Sequence, residues 1–305
     1  MKNPLDPGQG TASLVLAAAC VLCYANSLGC GFVFDDTSAI RDNKDILPTS
    51  PLSNILTNDF WGIPMHKEQS HKSYRPLCVL SFKLNYLLHG LEPLGYHLVN
   101  LVLHLLVTLL LHRVSQTYSF SPGTSFVAAL LFAVHPVHTE AVTGAVGRAE
   151  LLAAAFFLLT LHLYHGSRTL LAALTSCLAM LSKEVGITVI GLCYVHELLV
   201  KHNLHKTILH WFRQQKAAEV KVTRAAVSRL AVLTATLLGL LLLRIKVLQG
   251  ASLPVFTRFD NPASHAPAHP GGGGGAWADS QAGSCFYIHS WQQPDISEFP
   301  SNIVH

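Results

Sequence analysis

Two adjacent aspartates, Asp35 and Asp36, follow the first long apolar segment of the chain. Because carboxylates are costly to leave in hydrocarbon, we expect the pair at the water boundary or in a polar cavity. One member of such a pair can act as a general base while its neighbour alters its pKa, or the two can bind a divalent metal. The structural interpretation is that Asp36 caps a short turn over residues 37–40 and that Asp35 is solvated. The residues alone leave these alternatives open.

Polar residues also interrupt the later apolar segments. They are His135, His138, Glu140, Arg148 and Glu150, followed further along the chain by Lys183. Arg148 is suited to bidentate contact with phosphate oxygens, and the two histidines and Lys183 can complete a phosphate site. Alternatively, Arg148 or His138 forms an ion pair with one of the two glutamates inside a helix bundle. Lys183 next to Glu184 fits either the phosphate site or a local ion pair.

Histidines and cysteines provide weaker signals. His97, His104 and His112 recur at helical spacing, but no carboxylate or cysteine completes a ligand set with them. Polar groups in a membrane helix usually face the bundle interior, so we expect these histidines to be buried rather than to bind metal. Cys30 and Cys78 lie in the same hydrophilic stretch, where an oxidising compartment would permit a disulfide.

The composition determines what kind of element must position these residues. Half of the 305 residues are hydrophobic and only 12% are charged, which is typical of a protein that crosses a membrane several times. The formal net charge of +4 is too small and too scattered to indicate nucleic-acid binding. Glycine-rich nucleotide loops, serine nucleophile motifs and zinc signatures do not occur.

Seven apolar stretches are candidate transmembrane segments of an all-α polytopic protein. They are residues 11–28, 95–114, 124–134, 151–164, 170–181, 187–200 and 230–247. We expect residues 1–10 in the cytosol and the first stretch to be an uncleaved signal anchor. The third stretch is expected to end at the His135-Pro136 step, because proline lacks an N–H donor and restrains the residue before it.

The distribution of charge predicts the topology. Residues 201–229 carry seven Lys and Arg against the single Glu219, and the positive-inside rule therefore assigns them to the cytosol. Alternation of the spans then places 29–93, 135–148 and 183–184 together on the lumenal side. Within the long loop, residues 49–60 predict a capped amphipathic helix and 77–91 a second helix with a leucine face. Arg244, near the last predicted span's end, is expected to extend toward an interface.

The final stretch, 263–305, has a different composition. It is rich in Pro, Ala and Gly, includes five consecutive glycines, and shows no helical or strand periodicity. We therefore predict a disordered tail after a membrane domain that covers residues 11–262.

Several motifs together resemble the TMTC family, the transmembrane and tetratricopeptide-repeat O-mannosyltransferases of the endoplasmic reticulum. The motifs that carry the resemblance are residues 32–36, 58–62, 70–77, 96–100, 135–142 and 147–152. The resemblance extends over roughly residues 20–262, and the run 254–262 is most similar to the third vertebrate member of the family.

The resemblance implies a C-type glycosyltransferase fold that transfers mannose from dolichyl phosphate mannose to Ser or Thr of cadherin-like proteins. Asp35 and Asp36 would be the catalytic acids of the first lumenal loop, one of them a general base. Residues implied to bind the donor phosphate or to shape the site are Arg75, His135, His138, Glu140, Arg148, Glu150 and Lys183. Such enzymes are usually metal-independent, so no metal and no cofactor besides the lipid-linked donor are expected.

The sequence also departs from the family pattern. Val185 stands where the family commonly has Gln, and the pattern is lost after Pro262. The later spans and the repeat domain are not found, which motivates an alternative expectation: a catalytically inactive membrane subunit that regulates or competes with a full-length homologue.

Overall fold

The computed structural model describes residues 7–201 and 223–248 of the chain. Within these ranges the protein is helical and has no strand beyond one isolated antiparallel bridge between Asn58 and Pro64. The predicted all-α class is therefore confirmed. The predicted tail of 263–305, most of the basic loop of 201–229, and the N-terminal residues 1–6 lie outside the described residues.

Ten α-helices account for most of the described structure. In chain order they are α1 (Pro7–Tyr24), α2 (Leu52–Thr57), α3 (Pro76–His89), α4 (Pro93–Thr117), α5 (Pro122–Val134), α6 (Thr139–Thr143), α7 (Arg148–His165), α8 (Thr169–Ser182), α9 (Val189–Val195) and α10 (Arg224–Leu248). Short 3₁₀ or π turns connect them, including Thr37–Arg41, Ala145–Gly147, Glu184–Thr188 and His196–Lys201. Helix α7 packs against both α4 and α8.

Four of the described helices are long and apolar enough to cross a membrane, which makes the chain a multi-pass membrane protein. They are Gln9–Gly29, Pro93–Thr117, Ala145–His165 and Arg224–Leu248. A fifth span results if Pro122–Val134 and Pro136–Thr143, bent by 47°, form one broken span. Helix α8 has 14 residues and is about 21 Å long, short of the roughly 30 Å of hydrocarbon. The predicted count of seven spans is not confirmed.

Local sequence explains where several helices begin and end. Proline occupies the first turn of α3, α4 and α5, where its missing N–H costs no hydrogen bond. The Ser121 side chain accepts the N–H of Thr124 at 3.1 Å and caps α5. Helix α5 ends at Val134, two residues before Pro136, as the sequence predicts.

The predicted capping of α2 is wrong. The residue before this helix is Pro51, which has no side-chain acceptor, and the Ser50 hydroxyl donates instead to the carbonyl of Lys44. Helix α2 also ends before Phe60, which is buried in the core of the loop. Of the leucine face predicted for α3, Leu84, Leu87 and Leu88 are exposed, whereas Leu80 packs against the core.

Buried polar side chains lie between the helices, as the sequence predicts for the histidine stripe. His97, His104 and His112 of α4 are all buried, and the His104 ring interacts with the carbonyl of Ala133 at 3.1 Å. The disulfide between Cys30 and Cys78 that the sequence left open does not form, because the Cys78 thiol is free and fully buried.

A buried carboxylate fastens α10 to the rest of the bundle. Glu197, in the π turn after α9, accepts hydrogen bonds from Arg229 of α10 at 2.6 and 3.1 Å. It also accepts the hydroxyl proton of Tyr164 on α7 at 2.9 Å. Since Glu197 is fully buried, these partners compensate for the hydration that its charge has lost. We call this group the Glu197 end of the bundle.

Replacement of Glu197 by alanine is expected to destabilise the bundle by about 3 kcal/mol or more, because Arg229 then keeps a partly buried charge without its carboxylate. Thermal unfolding in detergent micelles measures the change. The matched control is Asp42→Ala, which removes the carboxylate of the exposed Arg41–Asp42 pair and should change stability by less than about 0.5 kcal/mol. Equal effects of the two variants would contradict the assigned role of Glu197.

Candidate functional site

Asp36 is almost fully buried, with 1% of its surface exposed. Its carboxylate accepts the backbone N–H of Val146 at 2.8 Å and that of Val33 at 3.3 Å. Asp36 precedes the turn Thr37–Arg41, but its side chain makes no capping hydrogen bond to that turn. The capping interpretation is therefore wrong, and Asp36 instead joins the first loop to the segment that begins the 145–165 span.

The backbone before the aspartates is held in an unusual conformation. Phe34 has a φ of +47°, which lies in the left-handed region that residues other than glycine rarely occupy. Its ring is 73% exposed, so packing of the ring does not explain the conformation. The neighbouring ring of Phe32 packs edge-on against Tyr96 of α4, with centroids 5.2 Å apart. Strained backbone of this kind is concentrated at functional sites.

The two aspartates have different environments. Burial raises the pKa of the Asp36 carboxyl, an effect that the N–H donors of Val146 and Val33 oppose and that the charge of Asp35 reinforces. Asp35 is only half-buried and is therefore more accessible to a substrate. The pair thus combines an accessible carboxylate with a buried one whose charge is disfavoured.

A second polar group forms around Glu184, which begins the 3₁₀ turn Glu184–Thr188. Its carboxylate accepts the backbone N–H of Tyr74 at 3.0 Å and the Nε–H of Arg75 at 3.3 Å. Arg244 of α10 lies 3.7 Å from the same carboxylate. Lys183 pairs with Glu150 of α7 rather than with Glu184. The predicted local Lys183–Glu184 ion pair is therefore wrong.

Residues at the start of α7 contact both the aspartate pair and the polar group around Glu184. Val146 holds the Asp36 carboxylate and Glu150, four residues later, holds Lys183. Burial and the nearby charge of Arg75 lower the pKa of the Lys183 ammonium, and Glu184 and Glu140 oppose that shift. The start of the 145–165 span thus contacts both Asp36 and Lys183, and the charges of Arg75, Glu140 and Glu184 act on Lys183. We call the part of the bundle that carries these residues and Asp35 the Asp36 end.

Arg148 is fully buried, and its nitrogens are held by groups on α3 and α4. Its three nitrogens donate to Asn100 and the Tyr96 carbonyl on α4, at 3.0 and 2.9 Å, and to Asn85 and the Ser81 carbonyl on α3. The guanidinium also lies over the rings of Phe82 and Tyr96. The alternative ion pair with Glu140 or Glu150 is therefore wrong, and a phosphate-binding role for Arg148 stays a prediction.

His135 and His138 lie among α1, α4 and α5. The carbonyl of His135 accepts the Tyr24 hydroxyl at 3.0 Å, and the His135 ring accepts the N–H of Val137 at 3.1 Å. The His138 ring packs against Phe132, with centroids 4.2 Å apart. The contacts of the described residues do not bring either histidine to Arg75 or Lys183.

The loop that carries Arg75 is built on another buried aspartate. Asp59 accepts the backbone N–H groups of Trp61, Ile63 and His71 and the hydroxyl of Ser70, at 2.6 to 3.2 Å. These bonds close the motifs 58–62 and 70–77 into one folded unit. The spacing of these motifs in the sequence indicates a turn. It does not indicate that Arg75, near the end of the folded unit, contacts Glu184.

Sequence reasoning missed Glu184 and Arg244 as parts of the site. Glu184 was assigned to its sequence neighbour, and Arg244 was expected to extend toward an interface. Arg244 instead donates to the carbonyl of Lys72 at 3.0 Å. No sequence pattern predicts a contact between Lys72 and Arg244, which lie 172 positions apart in the chain.

Comparison with known proteins supports the resemblance. The chain is 48% identical to protein O-mannosyl-transferase Tmtc3 of Drosophila melanogaster, over 83% of this chain and 33% of that protein. It is 45% identical to human TMTC3 over 80% of this chain and 28% of that protein, and 40% identical to mouse TMTC4 over 84% and 39%. The chain thus spans about a third of the length of the curated relatives that it matches. No protein-family model matches it, and no solved structure matches it.

Replacement of Arg148 by lysine is expected to lower the free energy of unfolding by about 3 kcal/mol, because an ammonium keeps the charge but cannot span α3 and α4 as the guanidinium does. Chemical unfolding in micelles measures the loss, with the exposed Arg41→Lys as control. Wild-type stability of Arg148→Lys would contradict this structural role.

Replacement of Asp36 by asparagine is expected to remove part of the pH dependence of stability. The folded-state pKa of Asp36 lies above its ordinary value of 3.8, so folding favours the protonated form. This contribution is complete below 3.8 and is lost as the pH rises through the raised pKa. The wild type should therefore lose stability relative to Asp36→Asn over that window in thermal unfolding, and a constant difference would contradict the raised pKa.

Proposed function

The chain belongs to the TMTC family, and from this membership we propose that it transfers mannose from dolichyl phosphate mannose to Ser or Thr hydroxyls of cadherin-like proteins. The proposed location is the membrane of the endoplasmic reticulum, with the Asp36 end facing the lumen. Curated relatives are named protein O-mannosyl-transferases, which supports the transferase class.

The observation that carries the proposal is the carboxylate pair at the Asp36 end. The acceptor oxygen must lose its proton as it bonds to the anomeric carbon, while the bond between that carbon and the phosphate oxygen breaks. The bond electrons leave with dolichyl phosphate, and the proton passes to a carboxylate. Asp35 is the accessible member of the pair, so we assign it the role of general base.

Asp36 acts in this scheme as a positioning residue. Its burial and its bond to Val146 fix the turn that carries Asp35. Its own charge, which burial disfavours, stands beside Asp35.

The proposed donor site uses the cations of the Asp36 end. Arg75 contacts Glu184 and Lys183 contacts Glu150, and both cations can contact phosphate oxygens. The reaction requires no metal in this scheme, because these cations would stabilise the charge that develops on the leaving phosphate. Glu140 and Glu150 are proposed to shape the site around them, and the donor-site roles implied for His135, His138 and Arg148 stay predictions.

Replacement of Asp35 by asparagine is expected to reduce kcat for mannosyl transfer by about 10²- to 10⁴-fold, the usual contribution of a general base. The assay uses the purified chain in nanodiscs, dolichyl phosphate mannose and a cadherin-type acceptor. Asp36→Asn should also lower kcat, and the exposed Asp42→Asn is the matched control.

Normal transfer by both Asp35→Asn and Asp36→Asn would contradict the proposed mechanism. A wild type that is inactive under every condition would favour the alternative function, an inactive subunit that regulates a full-length homologue. That alternative also requires the chain to co-purify with such a homologue or to change its activity.

A further inference from the structure

Arg244 contacts residues that lie outside its own helix and far from it in the sequence. It lies in the last turns of α10, and its Nη2 donates to the Lys72 carbonyl at 3.0 Å. Its Nη1 is buried and makes no hydrogen bond to any described residue, although the Glu184 carboxylate lies 3.7 Å away. A buried guanidinium nitrogen without an acceptor is costly, so the site is incomplete as an ion-pair network.

The groups around Glu184 form an anion-binding set. One carboxylate receives a backbone N–H from Tyr74 and the Nε–H of Arg75, and it faces Arg244. Two guanidinium groups and a backbone N–H are also the donors that proteins use to bind phosphate. The donors that hold Glu184 are thus of the kind that bind a phosphate group.

The surroundings of Arg244 select a lipid-linked phosphate over a soluble one. Leu241, Leu242 and Ile245, its neighbours on α10, are exposed along one of the apolar helices that can cross a membrane. The guanidinium therefore lies where an apolar helix surface meets the polar group of Arg75 and Glu184. A ligand with a phosphate headgroup and a long hydrocarbon chain matches both surfaces.

We infer that Arg244 is a third phosphate-binding residue, beside Arg75 and Lys183, for a polyprenyl-phosphate ligand whose phosphate displaces the Glu184 carboxylate. This inference rests on the proposed function and names a residue of the same donor site. The phosphate of the donor is a diester with one negative charge, and it leaves as a monoester with a second charge after the sugar transfers. An additional guanidinium stabilises that developing charge.

A purely structural role for Arg244 makes a different prediction. In that case the Arg244–Glu184 contact only clamps α10 to the loop, and loss of either partner lowers stability without a change in ligand affinity. Displacement of Glu184 predicts opposite effects on affinity for the two partners. Removal of Arg244 weakens phosphate binding, whereas neutralisation of Glu184 removes a competing anion and strengthens it.

The test measures binding of farnesyl phosphate and of dolichyl phosphate to the full chain in nanodiscs by calorimetry. Arg244→Gln is expected to weaken both by about tenfold or more, the value of one charge-assisted hydrogen bond. Glu184→Gln is expected to raise the affinity for both ligands several-fold, because the ligand phosphate no longer competes with the Glu184 ion pair. Arg41→Gln, at an exposed arginine, is the matched control and should bind as the wild type does.

Inorganic phosphate forms a third arm, because it shares the headgroup chemistry without the hydrocarbon chain. Failure of millimolar inorganic phosphate to compete with farnesyl phosphate supports a lipid ligand, and full competition overturns that assignment. If Arg244→Gln does not fold, Arg244→Lys replaces it, and the expected loss of affinity is smaller but has the same direction.

Unchanged affinity in both Arg244→Gln and Glu184→Gln overturns the inference. The proposed function can fail separately. If the wild type transfers no mannose but Arg244→Gln still binds farnesyl phosphate more weakly than the wild type does, the lipid-phosphate site is retained and the transferase assignment is lost. In an active chain, Arg244→Gln should raise KM for dolichyl phosphate mannose as well as lower kcat, whereas a structural clamp would change neither at temperatures below unfolding.

Discussion

The Asp36 end depends on the buried guanidinium of Arg148. A charge inside a helix bundle must be compensated by protein groups, and Arg148 obtains them from α3 and α4 while it belongs to α7. Its partner Asn100 in turn donates to the carbonyls of Gly144 and Ala145, the residues before Val146. Val146 donates to Asp36. Hydrogen bonds and the backbone of residues 144–146 therefore link the buried cation to the aspartate pair.

Two ion pairs, one near each end, anchor helix α10 to the rest of the bundle. Arg229 meets the buried Glu197 near the start of the helix, and Arg244 meets Glu184 near its end. The two arginines are 15 residues apart, which corresponds to about 22 Å of helix. Most side chains in this interval are apolar. The two clusters have different partners: Glu197 is satisfied within the protein, whereas Arg244 keeps an unsatisfied nitrogen.

Most of the helices were predictable, and the pairing of charges was not. The boundary before Pro136, the burial of the α4 histidines and the exposed leucines of α3 follow from local patterns. The predicted pairing of Lys183 with Glu184 and the capping role of Asp36 failed because both assumed that the nearest residue in sequence is the best partner. In a medium with little water, an ionised group is stabilised by whichever partner the fold brings within reach.

The sequence by itself determined the helical membrane class, the apolar segments that can span, and the motifs shared with the TMTC family, because hydropathy, proline placement and motif spacing are properties of the chain alone. Only the tertiary structure decided which of the two aspartates is buried and that Arg75 and Arg244 meet at one carboxylate. The number of spans also depended on the structure, since helix length and bending decide whether an apolar stretch crosses the membrane. Electrostatic partners are set by distance in space, and residues far apart in the chain become neighbours only when the helices pack.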